Sequence, residues 1–438
     1  MQRRGSCRRS WRTWGMSEKR KTSLGALIFQ VTTRTGAHKE RGVPYIGLEN
    51  IPSGGSKIGS YGRAEDSISS NTIFESGDIL FGKLRPRLRK SVRAQFRGYC
   101  STDVLVLRVA EDVHPGFAGY VAQSDTVFSA AIRTEEGTKM PRCSWKDIKL
   151  VEVFCPVDNK EQAKIASVLA SLDLVIEKTE ALIEKYQQIK TGLMHDLFTR
   201  GVLPDGKLRP TREQAPELYR ETGIGWIPKE WLVVALEDCL QNPPKNGYSP
   251  REIENWEGVF VLGLGCLTKE GFEPKQLKNA PRAAAIASGA MLNDGDFLVS
   301  RANTPELVGL CGVYADVGVA AIYPDLMMRL SLVSILDVRF LEAQMLYSET
   351  RIRLTALAVG TSSSMVKLNS ASLKKFQLFL PALEEQKIIV GKLGIQQSLI
   401  DSEKKKLAKL RVIKNGLMHD LLTGKVAVKV DATEEEHA

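Results

Sequence analysis

The sequence predicts a mixed α/β (α+β) chain built as two similar globular units, each followed by a long helix. Three observations predict it. Gly-Leu-Met-His-Asp-Leu occurs twice, at Gly192–Leu197 and Gly416–Leu421. Each copy closes a run of helical pattern that opens with Glu-Gln, at Glu161-Gln162 and Glu385-Gln386, and the runs align at a constant shift of 224 residues without a gap. Shorter echoes precede each run: Tyr45-Ile46-Gly47-Leu48 with Val261-Leu262-Gly263-Leu264, Gly77-Asp78-Ile79-Leu80 with Gly295-Asp296-Phe297-Leu298, and Gly137-Thr138 with Gly360-Thr361. Their shifts differ by a few residues, as they do when loops vary around a shared fold. A duplicated chain implies a task that needs two of something held apart.

The predicted order is a basic leader at 1–15, a globular unit at 16–158, a helix at 159–200, a connector at 201–230, a second unit at 231–382, a second helix at 383–424 and a tail at 425–438. The leader carries Arg3, Arg4, Arg8, Arg9 and Arg12 with no acidic residue and no apolar core, which excludes a secretion signal. It reads as a disordered basic arm or, preferably, as residues upstream of a start at Met16, where an ordinary globular pattern begins. Short β-like runs (Val104–Val109, Leu150–Phe154, Val259–Leu264, Phe376–Leu380) alternate in both units with helical stretches such as Phe340–Leu357. The connector, rich in Gly, Pro and charge, reads as ordered but irregular.

In the first helix apolar residues recur at Ile165, Val168, Leu172, Val175, Leu182, Tyr186, Ile189 and Leu193, with Thr179 filling the seam. In the second they recur at Ile389, Leu393, Ile400, Leu407, Leu410, Leu417 and Leu421. Both are heptad stripes of coiled-coil type, and each helix is a proline-free rod about 60 Å long at ~1.5 Å per residue. A narrow stripe needs a cover, and the other copy is the obvious one; the seam alone leaves parallel and antiparallel pairing open. Gly192 and Gly416 each cost ~1 kcal/mol against alanine inside a helix, so their repetition points to close backbone approach by another helix or subunit, or to fraying there.

With 438 residues and 43% hydrophobic content the chain can fill more than one core. A net charge of +10 and a pI of 9.1 favour an acidic partner, nucleic acid first, although the leader supplies half that excess. No apolar run approaches the ~20 residues needed to span a bilayer. The seven cysteines are widely spaced without a C-x-x-C pair, so neither a disulfide framework nor a zinc site is indicated. A reduced, soluble, cytoplasmic protein is expected.

The layout resembles the specificity subunit of a type I restriction-modification enzyme. The likeness rests on Glu161-Gln162 with Ile165, the two hexapeptides, and the connector's Leu203-Pro204-Asp205-Gly206-Lys207-Leu208-Arg209 and Ile224-Gly225-Trp226-Ile227-Pro228-Lys229-Glu230-Trp231. It spans nearly the whole chain beyond the leader. The resemblance implies that each globular unit is a target recognition domain reading one half of a split double-stranded DNA sequence. It implies that the helices pair antiparallel and act as a spacer ruler, and that two methyltransferase (modification) subunits dock, with restriction or translocase subunits as further company. The chain itself is then non-catalytic and binds no cofactor, S-adenosylmethionine belonging to the partner. Duplex groove faces repeat every ~34–36 Å, a distance a rod of this length can impose.

Candidate DNA contacts in the first unit are Lys83, Arg85, Arg87, Arg89 and Lys90, after an apparent strand at Asp78–Phe81, and Lys139 and Arg142, after Gly137-Thr138. Arginine grips guanine O6 and N7 bidentately, and either cation neutralises phosphate. The matching stretches in the second unit are Arg301, Asn303 and Thr304, and Ser362, Ser363, Ser364 and Lys367. Solvated basic hairpins and ordinary Gly-Thr turns are the plain alternatives. Helix-pairing or subunit contacts are assigned to Leu172, Val175, Leu182, Gly192, His195, Leu393, Ile400, Leu407, Gly416 and His419. Lys404-Lys405-Lys406 with Lys409 and Arg411 reads as a solvated face.

Rival readings are weaker. One histidine per hexapeptide lacks the ligand count for a metal. Asn242-Pro243-Pro244-Lys245 resembles the amino-methyltransferase N-P-P-aromatic motif but has lysine where the flipped base needs a stacking ring, and so reads as a turn. Gly263-Leu264-Gly265 is a fragment of a cofactor loop, and Glu273-Pro274-Lys275 an isolated nuclease-like match. A coiled-coil adaptor without nucleic acid is the alternative of a different class.

Overall fold

The computed structural model describes residues 19–35, 40–54, 57–67, 70–362 and 365–429; the predicted leader, Ser363, Ser364 and most of the tail lie outside them. The chain divides into two compact units, Met1–Leu182 with Glu403–Ala438, and Ile183–Ser402. Each unit therefore takes half of each long helix.

In the first unit Ile28–Val31, Val104–Val109, Ile79–Gly82 and Ser91–Arg93 form, in that spatial order, an antiparallel sheet. A second sheet orders Gly62–Arg63, Pro44–Ile46, Gly98–Cys100 and Thr72–Phe74, with only the middle pair parallel. Ile79–Gly82 is buried on both faces, and the two-residue period of a strand divides it between two cores. Ile79 and Phe81 join Leu105, Leu107, Phe117 and Phe128, while Leu80 joins Ile46, Phe74, Val92 and Val106. Helices Pro115–Gln123 and Asp125–Arg133 cover the first core, the earlier one starting with Pro at its first position.

The second unit repeats this path. Leu240–Asn246, Met327–Leu332, Phe297–Ser300 and Cys311–Val313 form the antiparallel sheet. Leu277–Asn279, Val259–Leu262 and Ala320–Ile322 form the other, again with the last pair parallel. Phe297 and Val299 point to one core and Leu298 to another. Where one helix was expected at Phe340–Leu357, two lie end to end, Val338–Leu346 and Ser348–Thr355, matching the first unit's pair. Asn242-Pro243-Pro244-Lys245 is not a turn: it lies in the edge strand Leu240–Asn246, whose register slips between Leu240 and Asn242 and again between Asn242 and Lys245, the second slip spanning two prolines that donate no hydrogen bonds. The connector also contains a short hairpin, Tyr219–Thr222 with Gly225–Pro228.

The long helices span Asn159–Thr199 and Leu383–Leu422 without interruption. In both units the second runs against the first. Lys414 Nζ meets Asp173 Oδ1 at 2.6 Å in one unit, and Lys190 Nζ donates to Gln397 Oε1 at 2.7 Å in the other. Those two pairs are images of one another under the 224-residue repeat, so the pairing is antiparallel and in one register.

The packed stripe is wider than the predicted seam. Of the seam, Ile165, Thr179, Leu393 and Ile400 are buried and Leu172, Leu182 and Leu407 half-buried, but Val175 faces solvent. Leu169, Asp173 and Ile183, outside the seam, are buried as well. The reason is a second neighbour: Tyr120, on Pro115–Gln123, donates its hydroxyl to Asp173 at 2.7 Å, so globular residues share the helix face. Gly192 and Gly416 are exposed in unbroken helix with nothing within 4 Å of an added Cβ. Neither fraying nor close approach within each unit accounts for them.

The repeated Glu-Gln anchors each helix start. Gln162 Nε2 donates to Pro156 O at 2.9 Å, and its Oε1 accepts from His114 N at 2.8 Å. Gln386 does the same with Pro381 O and Asp337 N, at 2.9 and 2.8 Å. Each buried amide thus ties a strand end, a helix start and the cap of the short helix pair together. Glu385 accepts from Val202 N at 2.8 Å and Trp231 Nε1 at 3.1 Å and pairs with buried Arg209. The Leu203–Lys207 turn, closed by Leu203 N donating to Lys207 O, carries the chain to that arginine.

Candidate nucleic-acid interface

In the first unit the chain leaves the fully buried strand Ile79–Gly82 and immediately enters the basic loop. Lys83 N donates to Asp103 O at 2.9 Å, Cys143 N donates to Lys83 O at 3.0 Å and Arg85 N donates to Pro141 O at 2.7 Å. Leu84 and Arg142 form a β-bridge. Two segments that the sequence separates by some fifty residues, Lys83–Lys90 and Lys139–Arg142, therefore form one surface.

Arg85 and Arg89, with φ of 50° and 52°, are the non-glycine residues with left-handed backbone among those described, and they bracket the single 3₁₀ turn Pro86–Leu88. Such a backbone persists only where the surroundings enforce it. Arg87 pairs with Glu135 at 2.7 Å. Arg89 pairs with Asp125 at 2.5 Å and lies over the Phe128 ring at 5.1 Å. Lys90 donates to Leu48 O at 2.7 Å, and Arg142 pairs with Asp103 at 2.9 Å. The loop's cations thus divide: these four fasten it, whereas Arg85 and Lys139 are exposed with no side-chain partner among the described residues.

The second unit reproduces this scaffold bond for bond. Arg301 N donates to Leu326 O at 2.9 Å, and Leu368 N donates to Arg301 O at 2.7 Å. Ala302 pairs with Lys367, and Asn303 with Val366. Lys83 is therefore equivalent to Arg301, Arg85 to Asn303 and Arg142 to Lys367. Asn303 Oδ1 accepts from Thr304 N at 2.9 Å, and the Thr304 hydroxyl is buried without a partner among the described residues. Lys367 is exposed. Ser362 ends the strand Val359–Ser362 beside it; Ser363 lies outside the described residues. The strand and Gly-Thr echoes had matched these stretches in the sequence; the residue-by-residue equivalence comes from the backbone bonds, because no residue type is shared across it.

The hexapeptide histidines line clefts. His419 borders a cavity of about 900 Å³ with Arg89, Asp125 and Lys414 in the first unit. His195 borders one of about 420 Å³ with Trp226 and Glu349 in the second, its Nδ1 2.9 Å from the Tyr347 hydroxyl. No group of three or more His, Cys, Asp or Glu residues among those described could hold a metal ion. The six described cysteines are buried and form no disulfide among the described residues; burial raises the Cys143 thiol to about 11 and the Cys100 thiol to about 12, which keeps those two protonated and unreactive. No helix among the described residues is long and apolar enough to cross a membrane.

A duplicated scaffold carrying different side chains on matching loops is the form a two-part sequence reader would take. The family model for the type I restriction modification DNA specificity domain matches residues 228–412. That stretch, the second globular unit with most of its long helix, resembles a type I DNA specificity domain. The type I restriction enzyme MjaVIII specificity subunit of Methanocaldococcus jannaschii is 24% identical over 409 residues, covering 88% of this chain and 86% of that relative. The fold matches the type I restriction-modification S subunit from M. genitalium with a TM-score of 0.53 at 14% identity, over 93% of this chain and 96% of that one. It also matches a chain from a structure of type I R-M complex assembly and conformational transition, with a TM-score of 0.52 at 18% identity, over 94% and 100%. The chain's role is accordingly that of a type I DNA specificity subunit, and a coiled-coil adaptor is not favoured.

Proposed function

We propose that each globular unit reads one half of a split double-stranded DNA target and that the paired helices fix the gap between the halves. Two methyltransferase subunits dock on those helices and supply S-adenosylmethionine chemistry; this chain holds no cofactor and acts in the cytoplasm, with or without restriction subunits. The observation that carries the reading is the duplicated chain path, with the same four-stranded antiparallel sheet in each unit and different side chains at matching loop positions. Two readers of identical sequence would not need the loops to differ.

Docking of two copies of one partner is supported by the helices' exposed faces. Val175 and Ile189 on the first helix match Leu399 and Ile413 on the second under the 224-residue repeat, and all four are 42–45% exposed. Gly192 and Gly416, open at matching positions, give a partner's backbone room to approach. His195 and His419 stand close by in each hexapeptide.

Co-expression with a methyltransferase partner, followed by long-read mapping of methylated bases, tests the reading. A bipartite motif, two short defined halves around undefined bases, is expected; a continuous motif contradicts two readers. Binding to duplex DNA should also weaken steeply as salt rises, and no duplex binding with the partner present would leave the adaptor reading standing.

A further inference from the structure

The bond-for-bond equivalence of the two loops separates positions that keep their chemistry from one that does not. Lys83 and Arg301 are both cations, and so are Arg142 and Lys367. A charge kept in both units, whatever half-site each reads, suits the sugar-phosphate backbone, which is the same in both. Between these cations lies Arg85 in one unit and Asn303 in the other. Both side chains can select a purine in the major groove: arginine donates twice, to guanine O6 and N7, and asparagine donates to adenine N7 while accepting from N6.

Arg85 is also placed as a reader rather than a fastener. Its neighbours Arg87, Arg89 and Lys90 are spent on Glu135, Asp125 and Leu48 O, while Arg85 is exposed on left-handed backbone pinned to Pro141 O. Asn303 is half-buried and uses Oδ1 toward its neighbour's N–H, leaving its Nδ2 and a second lone pair on Oδ1 available.

We infer that Arg85 and Asn303 are the matched base-reading residues of the two units, Arg85 selecting a guanine in one half-site and Asn303 an adenine in the other. The flanking cations Lys83, Arg301 and Lys367 hold phosphate, while Arg142 stays paired with Asp103 beside them. This rests on the proposed two-reader function and adds to it the residue that reads and the base it reads.

The experiment uses the full chain assembled with its methyltransferase partner and compares wild type with Arg85→Gly, Arg85→Asn, Asn303→Ala and Lys367→Ala. Glycine and asparagine both accept left-handed backbone, so neither Arg85 variant strains the loop, and a thermal melt at or above wild type excludes misfolding. The readouts are the methylated motif and competition binding on duplexes altered at one base. Arg85→Gly should lose about ten- to hundredfold discrimination at one guanine of one half-site and leave the other half intact. Arg85→Asn should shift that position toward adenine, and Asn303→Ala should relax one adenine of the other half. Lys367→Ala should weaken all duplexes alike and lower the slope of log affinity against log salt by about one. The inference is overturned if Arg85→Gly keeps the wild-type motif, relaxes a base other than guanine, or weakens every duplex equally. A wild-type motif that is continuous would defeat the two-reader function itself, a distinct result.

Discussion

The two units follow one chain path yet bury their charges in different places. In the first, Lys414 and Asp173 meet between the helix halves, each 9% exposed, with Tyr120 as a third member. In the second, the same register holds half-buried Lys190 against the neutral amide of Gln397, and the buried ion pair is instead Arg209 with Glu385, where the connector meets the helix start. The amide anchors Gln162 and Gln386 are unchanged. What the duplication preserves, then, is satisfied hydrogen bonding at fixed junctions; the charge that satisfies it is free to drift.

The largest effect should come from Glu385→Ala. It strips the carboxylate from a buried arginine, a backbone N–H and the indole of Trp231 at once, and breaking a buried pair by removing one partner costs about 3–5 kcal/mol. Hydrogen exchange should rise at the connector and the start of the second helix and stay unchanged at residues 79–107 of the first unit. Urea midpoints within experimental scatter of wild type would show that the cluster is dispensable and the junction held by packing alone.

Asp173→Asn should cost less, roughly 1–3 kcal/mol, because the asparagine keeps an acceptor for Tyr120 while leaving the Lys414 ammonium without its anion. Its mirror, Gln397→Asp, should change stability by under about 1 kcal/mol, since Lys190 is half-exposed and already engaged by Gln397, so a carboxylate there adds only a screened pair. Equal responses from the two would erase the distinction between the units drawn above. Exchange at residues 403–422 against 383–402 reads the two separately.

Much of this was legible in sequence. The Glu-Gln and hexapeptide repeats marked both helices, and the Gly77-Asp78-Ile79-Leu80 echo found the central strands. The full width of the buried arc was not, because periodicity counts chiefly apolar residues, whereas the arc also includes Asp173, Gln396 and Lys414. A helix packed against a globular layer as well as a partner helix has a wider, partly polar footprint than a coiled-coil seam. The pairing of loop Lys83–Lys90 with Lys139–Arg142 was also hidden, since backbone bonds between distant segments leave no residue signature. Arg209 and Trp231 stood out as family-like residues, but their shared partner Glu385 emerged only from the fold.

The smallest predicted effect concerns the caps of the short helix pairs, His114 in one unit and Asp337 in the other. The His114 ring accepts from Phe117 N through Nδ1, and Asp337 accepts from Arg339 N and Phe340 N. Burial, and then the nearby Arg93 charge, hold His114 below its usual range. A histidine depressed in the folded state is most stabilising above its unfolded value near ~6.5, and that contribution is lost as pH falls through it toward the folded value, because the unfolded chain binds the proton first. Protonation also removes the acceptor that caps the helix. Exchange protection across Pro115–Gln123 should therefore fall as pH drops below about 6.5 while Val338–Leu346 is less affected. His114→Asn, which caps without titrating, should flatten the first unit's response. An unchanged slope in that variant would place the acid sensitivity elsewhere, and the two caps would then differ in residue type alone.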